Sequence, residues 1–382
     1  MWNIFSIVDS LILRTIDLNL FESEYPAARA QFLNAAQEAG ADVQHHIHPT
    51  ERAADGSPLA IDTARLGSMQ ANLWFVIFSG THGLEGPTGS AVQCDYLRSN
   101  PQLPDNAAIL FVHGVNPYGF AHFSRTNETN IDLNRNFVEH SDSAQPATDV
   151  EREIQQLFAT DPVNFELLEN LGAQVAPLLE KYGLEPVINA VTAGQYTFPA
   201  GLNFGGESAS WSNLTLRGII RAHCESAGKV VLLDWHTGLG EFGKPCYLCF
   251  NAPGSATYQH ACNWWGEEAV AESSAFGSGG AQPQYSGLLV QGLAQELPQE
   301  AKSVQAVIEF GTYDNMTMVG ALIVDRWLRF DSPKALSAEN QQLKTWMIER
   351  FYPVEAQWRE AVLNQALDIH QRTLQGLMNW TD

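Results

Sequence analysis

The stretch LWFVIFSGTHGLEG, residues 73–86, decides how the chain is read. Six apolar residues in a row, rich in aromatic and β-branched side chains, have the length of a strand buried on both faces. The chain then turns polar, and glycines at 80, 83 and 86 permit a tight curl by tolerating positive φ. A buried strand therefore delivers His82 and Glu85 to its C-terminal end, where open α/β sheets build their ligand sites. An imidazole and a carboxylate three residues apart suit zinc, and a third protein ligand would leave one position for water. Alone, H-x-x-E is a weak signal, because it recurs by chance.

Outward from this stretch the same apolar texture returns. Leu73 to Phe78, Ala107 to Val112, Val230 to Leu233, Tyr247 to Phe250 and Val304 to Phe310 read as buried strands. Helical patterns fall between them, at Tyr25 to Ala39, Thr88 to Arg98, Asn164 to Tyr182 and Leu214 to Ser226. Apolar strands alternating with amphipathic helices predict an α/β fold, with a mixed, largely parallel central sheet covered by helices on both faces. Residues 1–382 read as a single domain. Residues 139–213, which lack a clear strand and contain SDSAQPATD and GLNFGG, read as an insertion or lid within it. Residues 338–382 are expected to be helical, with two helices broken near Pro353.

Composition narrows the partners. The 382 residues carry 43 acidic and 21 basic side chains, a formal charge of -22. That balance argues against nucleic acid or an anionic membrane, because phosphate binding needs clustered Lys and Arg. The apolar N-terminus, MWNIFSIVDSLILRTIDLNLF, has no basic start and is interrupted by Asp9, Arg14 and Asp17, so it does not read as a signal peptide. No run of 18 uncharged apolar residues predicts a membrane span. Five cysteines, odd in number and scattered, fit a cytoplasmic protein better than a disulfide framework. Cys246 and Cys249 form a C-x-x-C pair that reads either as strand thiols or as a second metal or redox site.

Three further motifs carry chemistry. DWHTGLG, residues 234–240, again places a histidine, His236, after an apolar run and before glycines. It reads as a ligand or as a loop-anchoring histidine. Asp234 projects on the same strand face and reads either as the partner that fixes the imidazole tautomer or as a structural acid. VIEFG, residues 307–311, puts Glu309 inside an apolar strand, which is costly without a role or a partner. Beside a zinc-activated water it would accept and return a proton; otherwise it is one half of an ion pair. RTNETNIDLNRNF, residues 125–137, sets Arg125 and Arg135 in an Asn-rich loop. Planar guanidiniums grip carboxylates bidentately, although such a loop can also be merely solvated.

Taken in order, these pieces resemble the zinc carboxypeptidase superfamily, which also contains the aspartoacylase and succinylglutamate desuccinylase amidohydrolases. The order H-x-x-E, arginine, Asn-Arg, distant histidine, late glutamate is met by His82 and Glu85, Arg125, Asn134 and Arg135, His236, and Glu309. The resemblance implies that His82, Glu85 and His236 ligate one zinc ion and that Glu309 is the general base. It implies that Arg125 stabilises the oxyanion and that Asn134 and Arg135 bind the substrate's terminal carboxylate. Tyr285, in QYSG, 24 residues before Glu309, resembles the tyrosine that closes over substrate. The implied activity is a metallocarboxypeptidase acting on peptides with a free carboxylate. The alternatives are an N-acyl amino acid amidohydrolase or a non-catalytic anion-binding descendant. The gap from Arg135 to His236 is longer than in digestive carboxypeptidases, which makes 139–213 extra. QYTFPAGLNFGG, residues 195–206, reads as a pocket wall or lid. No G-x-S-x-G elbow or P-loop is present.

Overall fold

A computed structural model describes residues 15–143, 146–275, 283–333 and 335–381. The first 14 residues of the N-terminal segment considered for targeting lie outside it. Seven strands form one sheet in the order β1-β2-β4-β3-β5-β7-β6. They are β1 Asp42–Arg52, β2 Pro58–Gly67, β3 Leu73–Ser79, β4 Ala107–His113, β5 Lys229–Gly238, β6 Pro245–Cys249 and β7 Lys302–Gly311. The four central strands, β4-β3-β5-β7, run parallel. Antiparallel β1 and β2 flank them on one side and β6 on the other. The sheet is thus mixed and parallel at its centre.

The continuous apolar strings follow from burial on both faces. Side chains alternate along a strand, so Phe75, Ile77, Val231 and Leu233 pack under the helices Tyr25–Glu38, Gly86–Arg98 and Ala356–Met378. Their neighbours Trp74, Val76, Phe78, Val230 and Leu232 pack against the helices Trp211–His223 and Leu289–Ala294 on the other face.

Residues 139–213 contribute a third apolar cluster. The helices Asp149–Phe158, Leu171–Tyr182 and Leu184–Thr192 put Ile154, Phe158, Val175 and Val187 against Met318, Val324 and Met347 of the helices Asn315–Phe330 and Ala338–Phe351. The first of these helices starts on a complete capping box, with Thr148 and Glu151 each satisfying the other's backbone N–H. Its turn-by-turn apolar face then has somewhere to go.

Because β3 feeds a chain that crosses to β4 on one side, while β5 and β7 extend the sheet on the other, a crevice opens between the C-terminal ends of β3 and β5. Asp234 pairs with Phe78, and His236 with Glu309, along the parallel registers. No helix among the described residues is long and apolar enough to cross a membrane.

Candidate metal centre

The chain leaves β3 through Gly80, at φ +71°, and enters a short turn over Gly83–Glu85 before the helix Gly86–Arg98. Gly83 also lies so close to the Gly119–Phe120 backbone that a Cβ there would stand 2.0 Å from a carbonyl carbon. This curl turns His82 and Glu85 to the same point. His82 Nδ1 stands 2.8 Å from Glu85 Oε1, and His236 Nδ1, from the end of β5, stands 2.9 Å from Glu85 Oε2. The two Nδ1 atoms are 3.1 Å apart. Among the described residues these three side chains are the one group of three or more His, Cys, Asp or Glu side chains able to hold a metal ion.

The outer nitrogens show why the inner ones face each other. His82 Nε2 lies 3.1 Å from Asp132 Oδ1, and His236 Nε2 lies 2.7 Å from Asp234 Oδ2. Each imidazole thus has a carboxylate at Nε2 to take its proton, which would leave the Nδ1 lone pair for a cation bound at the centre. Asp234 is steadied by the Thr81 hydroxyl, 2.9 Å from both its oxygens. Glu85 Oε2 accepts from the Thr237 backbone N–H at 3.1 Å. Ligand atoms on a tetrahedron of zinc-type bonds are about 3.3 Å apart, close to these separations.

Charge gives an independent test of fit. Four buried carboxylates, Glu85, Asp132, Asp234 and Glu309, stand at the site against two guanidiniums, Arg125 and Arg135, an acidic excess that favours a cation. Burial drives the His236 pKa down, yet Asp234 and Glu85 outweigh it and hold it well above the usual histidine range. Burial likewise pushes Glu85 up, and the two imidazoles overcome that and hold it below the carboxylate range. The cluster draws positive charge to its centre, and its donor set suits a borderline-soft divalent ion.

Arg125 closes one side. Its Nη2 donates to Asp132 Oδ2 at 3.0 Å, and its Nη1 faces His82 Nδ1 at 3.0 Å and Glu85 Oε1 at 3.4 Å. Its own backbone N–H is held by Asp325 Oδ2 at 3.0 Å. Glu309, 9% exposed, accepts from the Leu239 backbone N–H at 3.3 Å. Burial first, and then the Glu85 charge, raises its pKa. Arg135 donates through Nε and Nη2 to the Thr192 carbonyl and through Nη1 to that of Asn134. Asn134 is anchored by Leu289 N–H, and the Tyr285 ring lies 4.9 Å from the Arg135 guanidinium.

All eight residues singled out in the sequence come together, and all but the buried His236 line one cavity of about 420 Å³. Asp132 is the group that sequence reasoning missed. It binds His82, Arg125 and the Asn134 backbone N–H at once. It stands inside the quoted DLNR, but on a loop, where no periodicity marks an acid as buried. Cys246 and Cys249 stand on β6 outside any disulfide, and no metal-ligating group among the described residues includes them.

A buried His–Glu–His cluster at the switch point of an α/β sheet is thus a group of side chains that could hold a metal ion. The chain belongs to the family described as "Protein of unknown function (DUF2817)", which matches residues 21–365. No curated protein matches it. Among solved structures it is similar to carboxypeptidase A from Helicoverpa armigera, at 14% identity and a TM-score of 0.44, covering 86% of this chain and 74% of that one. A Shewanella amazonensis protein assigned as a metallopeptidase is 13% identical, with a TM-score of 0.42 and coverage of 82% and 95%. Another from that organism, assigned to the succinylglutamate desuccinylase / aspartoacylase family, is 18% identical, with a TM-score of 0.33 and coverage of 74% and 72%.

Proposed function

We propose that the chain is a zinc hydrolase that cleaves an amide bond next to a free carboxylate, most simply as a carboxypeptidase. The observation that carries this reading is the convergence of both Nδ1 atoms and Glu85 on one point, with Glu309 paired beside His236. Zinc held by His82, Glu85 and His236 would supply a Lewis acid that lowers the pKa of water to about 7 and polarises the scissile carbonyl.

The protein's own groups do the rest. Glu309, with its pKa raised by burial, takes a proton from the attacking water and returns it to the leaving nitrogen. Arg125, held at Nη2 by Asp132 and at its backbone N–H by Asp325, stabilises the developing oxyanion through the Nη1 that faces the ligands. Asn134 and Arg135 hold the substrate's carboxylate, and Tyr285 covers it. Three of the five Arg135 N–H groups are committed to backbone carbonyls, which leaves two for a carboxylate. Residues 139–213 serve as a wall of the same site within one catalytic domain. Five cysteines, none in a disulfide, fit a reducing compartment such as the cytoplasm.

The test is a screen of zinc-loaded protein against peptides and N-acyl amino acids, reading release of the C-terminal residue or of the acyl group. Peptide turnover is expected. Turnover of N-acyl amino acids alone would move the reading to the amidohydrolase branch, and no turnover of either by protein carrying one zinc per chain would overturn it.

A further inference from the structure

The block QYTFPAGLNFGG, residues 195–206, sends one described residue, Asn203, into the lining of the cavity that contains the candidate metal site. The backbone around Asn203 is stitched to the site. The Gln195 N–H donates to the Asn203 carbonyl at 3.1 Å, and the Gly205 N–H donates to the Gln195 carbonyl at 2.8 Å. The Phe204 carbonyl takes the backbone N–H of Asp132 at 2.8 Å, and the Gly205 carbonyl takes Asn136 Nδ2 at 2.8 Å. Asp132 is the group that holds His82 and Arg125. Residues 203–205 therefore run alongside 132–136, the segment that carries Asn134 and Arg135.

The Asn203 side chain is only half committed. It is 7% exposed, and its backbone sits at φ +51°, a left-handed conformation that asparagine tolerates better than most residues. Nδ2 faces the Val191 carbonyl, which can only accept, and this fixes which way the amide points. The neighbouring carbonyl, of Thr192, takes Arg135 Nε and Nη2 at 3.1 and 2.7 Å. Asn203 and Arg135 thus stand on the last two carbonyls of one helix, Leu184–Thr192. Asn203 Oδ1 has no partner among the described residues, and it is not one of the atoms sealed in the core without one. An acceptor on so deeply buried a side chain costs free energy if it stays unpaired once a ligand drives out water.

We propose that Asn203 is a specificity residue whose Oδ1 accepts a hydrogen bond from an N–H or O–H borne close to the substrate's carboxylate. This rests on Arg135 holding that carboxylate, as in the reading above, and adds which carboxylates are taken. The donor is either the amide N–H on the carboxylate-bearing carbon or a hydroxyl or amide of that residue's side chain. A carboxylate flanked by apolar groups alone would leave Oδ1 unpaired. A site built to hydrogen-bond a donor rejects the analogue that lacks it.

Calorimetric titration of the full chain without added zinc tests this apart from turnover. In the first pair, N-acetylalanine is compared with O-acetyllactate, which has an ester oxygen in place of the N–H. In the second, N-acetylserine is compared with N-acetylalanine, which lacks the side-chain hydroxyl. At least one pair should show a preference of about tenfold or more for its donor-bearing member, and that pair names the source of the donor. Asn203→Gly, which suits the positive φ, should abolish the preference, and Asn203→Asp, which keeps an acceptor oxygen, should retain it. Equal affinity within both pairs, or a preference that survives Asn203→Gly, would overturn the proposal. Arg135→Gln should weaken every one of these acids by about tenfold or more. Unchanged binding there would sink the carboxylate reading and the proposal with it. Selectivity lost in Asn203→Gly, with no amide turned over by zinc-loaded protein, would support Asn203 and sink the hydrolase reading instead.

Discussion

His236 and His370 are both fully buried histidines within reach of the same strand, and their chemistry is opposite. On β5 the side chains alternate: Asp234 and His236 turn to the crevice, while Trp235 turns to the other face. There its indole N–H donates to His370 Nε2 at 3.0 Å. His370 lies stacked on Tyr96, its ring centroids 4.2 Å away, with Phe75 at its edge. Burial has nothing to oppose it there and pushes the His370 pKa down to about 3. His236, equally buried, is driven upward because Asp234 and Glu85 stand against it. Burial by itself makes a histidine a neutral core residue. A carboxylate on each side makes it a place for a cation.

The largest effect separating the two regions should come from Glu309→Gln. It keeps the shape and removes the base, so kcat should fall by about 10²- to 10⁴-fold with metal content unchanged. Equal loss of metal would instead make Glu309 part of the ion's support. Next comes Asp132→Asn, which leaves the ligands in place but weakens the hold on His82 Nε2 and on Arg125. Zinc affinity should drop about 10- to 100-fold, read by competition with a chelator. An unchanged affinity would show that the carboxylate shell does not tune the imidazoles.

The smallest effect concerns stability on the other face. His370, at about 3, and His113, at about 4, both titrate far below an unfolded histidine near 6.5. Between those values the unfolded chain binds more protons, so their contribution is fully present above about pH 6.5 and is lost as pH falls toward 4 and then 3. His370→Gln, which keeps an acceptor for Trp235, should narrow the difference in urea midpoint between pH 7 and pH 5. A difference as wide as in the parent protein would mean that other groups carry the acid lability.

The same contrast explains what could be read in the sequence. β3, β4, β5 and β7 were legible because strands buried on both faces are continuous apolar runs, and the ligands sit where those runs end; β6, at the edge, was legible from its short run Tyr247 to Phe250. β1 and β2 were not. β1 is an edge strand, DVQHHIHPTER, in which His48 alone is buried, so it has no apolar string to notice. β2 hides a charge inside: Asp62 is fully buried and held by Arg29 at 2.6 Å and His45 at 2.6 Å. Such a pairing across the fold leaves no local pattern. Asp234 was visible because it shares a strand face with His236, whereas Asp132 reaches His82 across 50 positions from a loop. The helix Asp149–Phe158 went unread, although the Thr148–Glu151 capping box at its start is a sequence signal that could have found it.

The central claim is that His82, Glu85 and His236 hold one ion between β3 and β5. It is tested most directly by crystals grown with one equivalent of zinc and measured at the zinc absorption edge. The account predicts a single anomalous peak per chain, about 2.0–2.2 Å from both Nδ1 atoms and from a Glu85 oxygen, with Nε2 still on Asp132 and Asp234. A structure in which those three side chains diverge, or in which the zinc sits elsewhere, would contradict it.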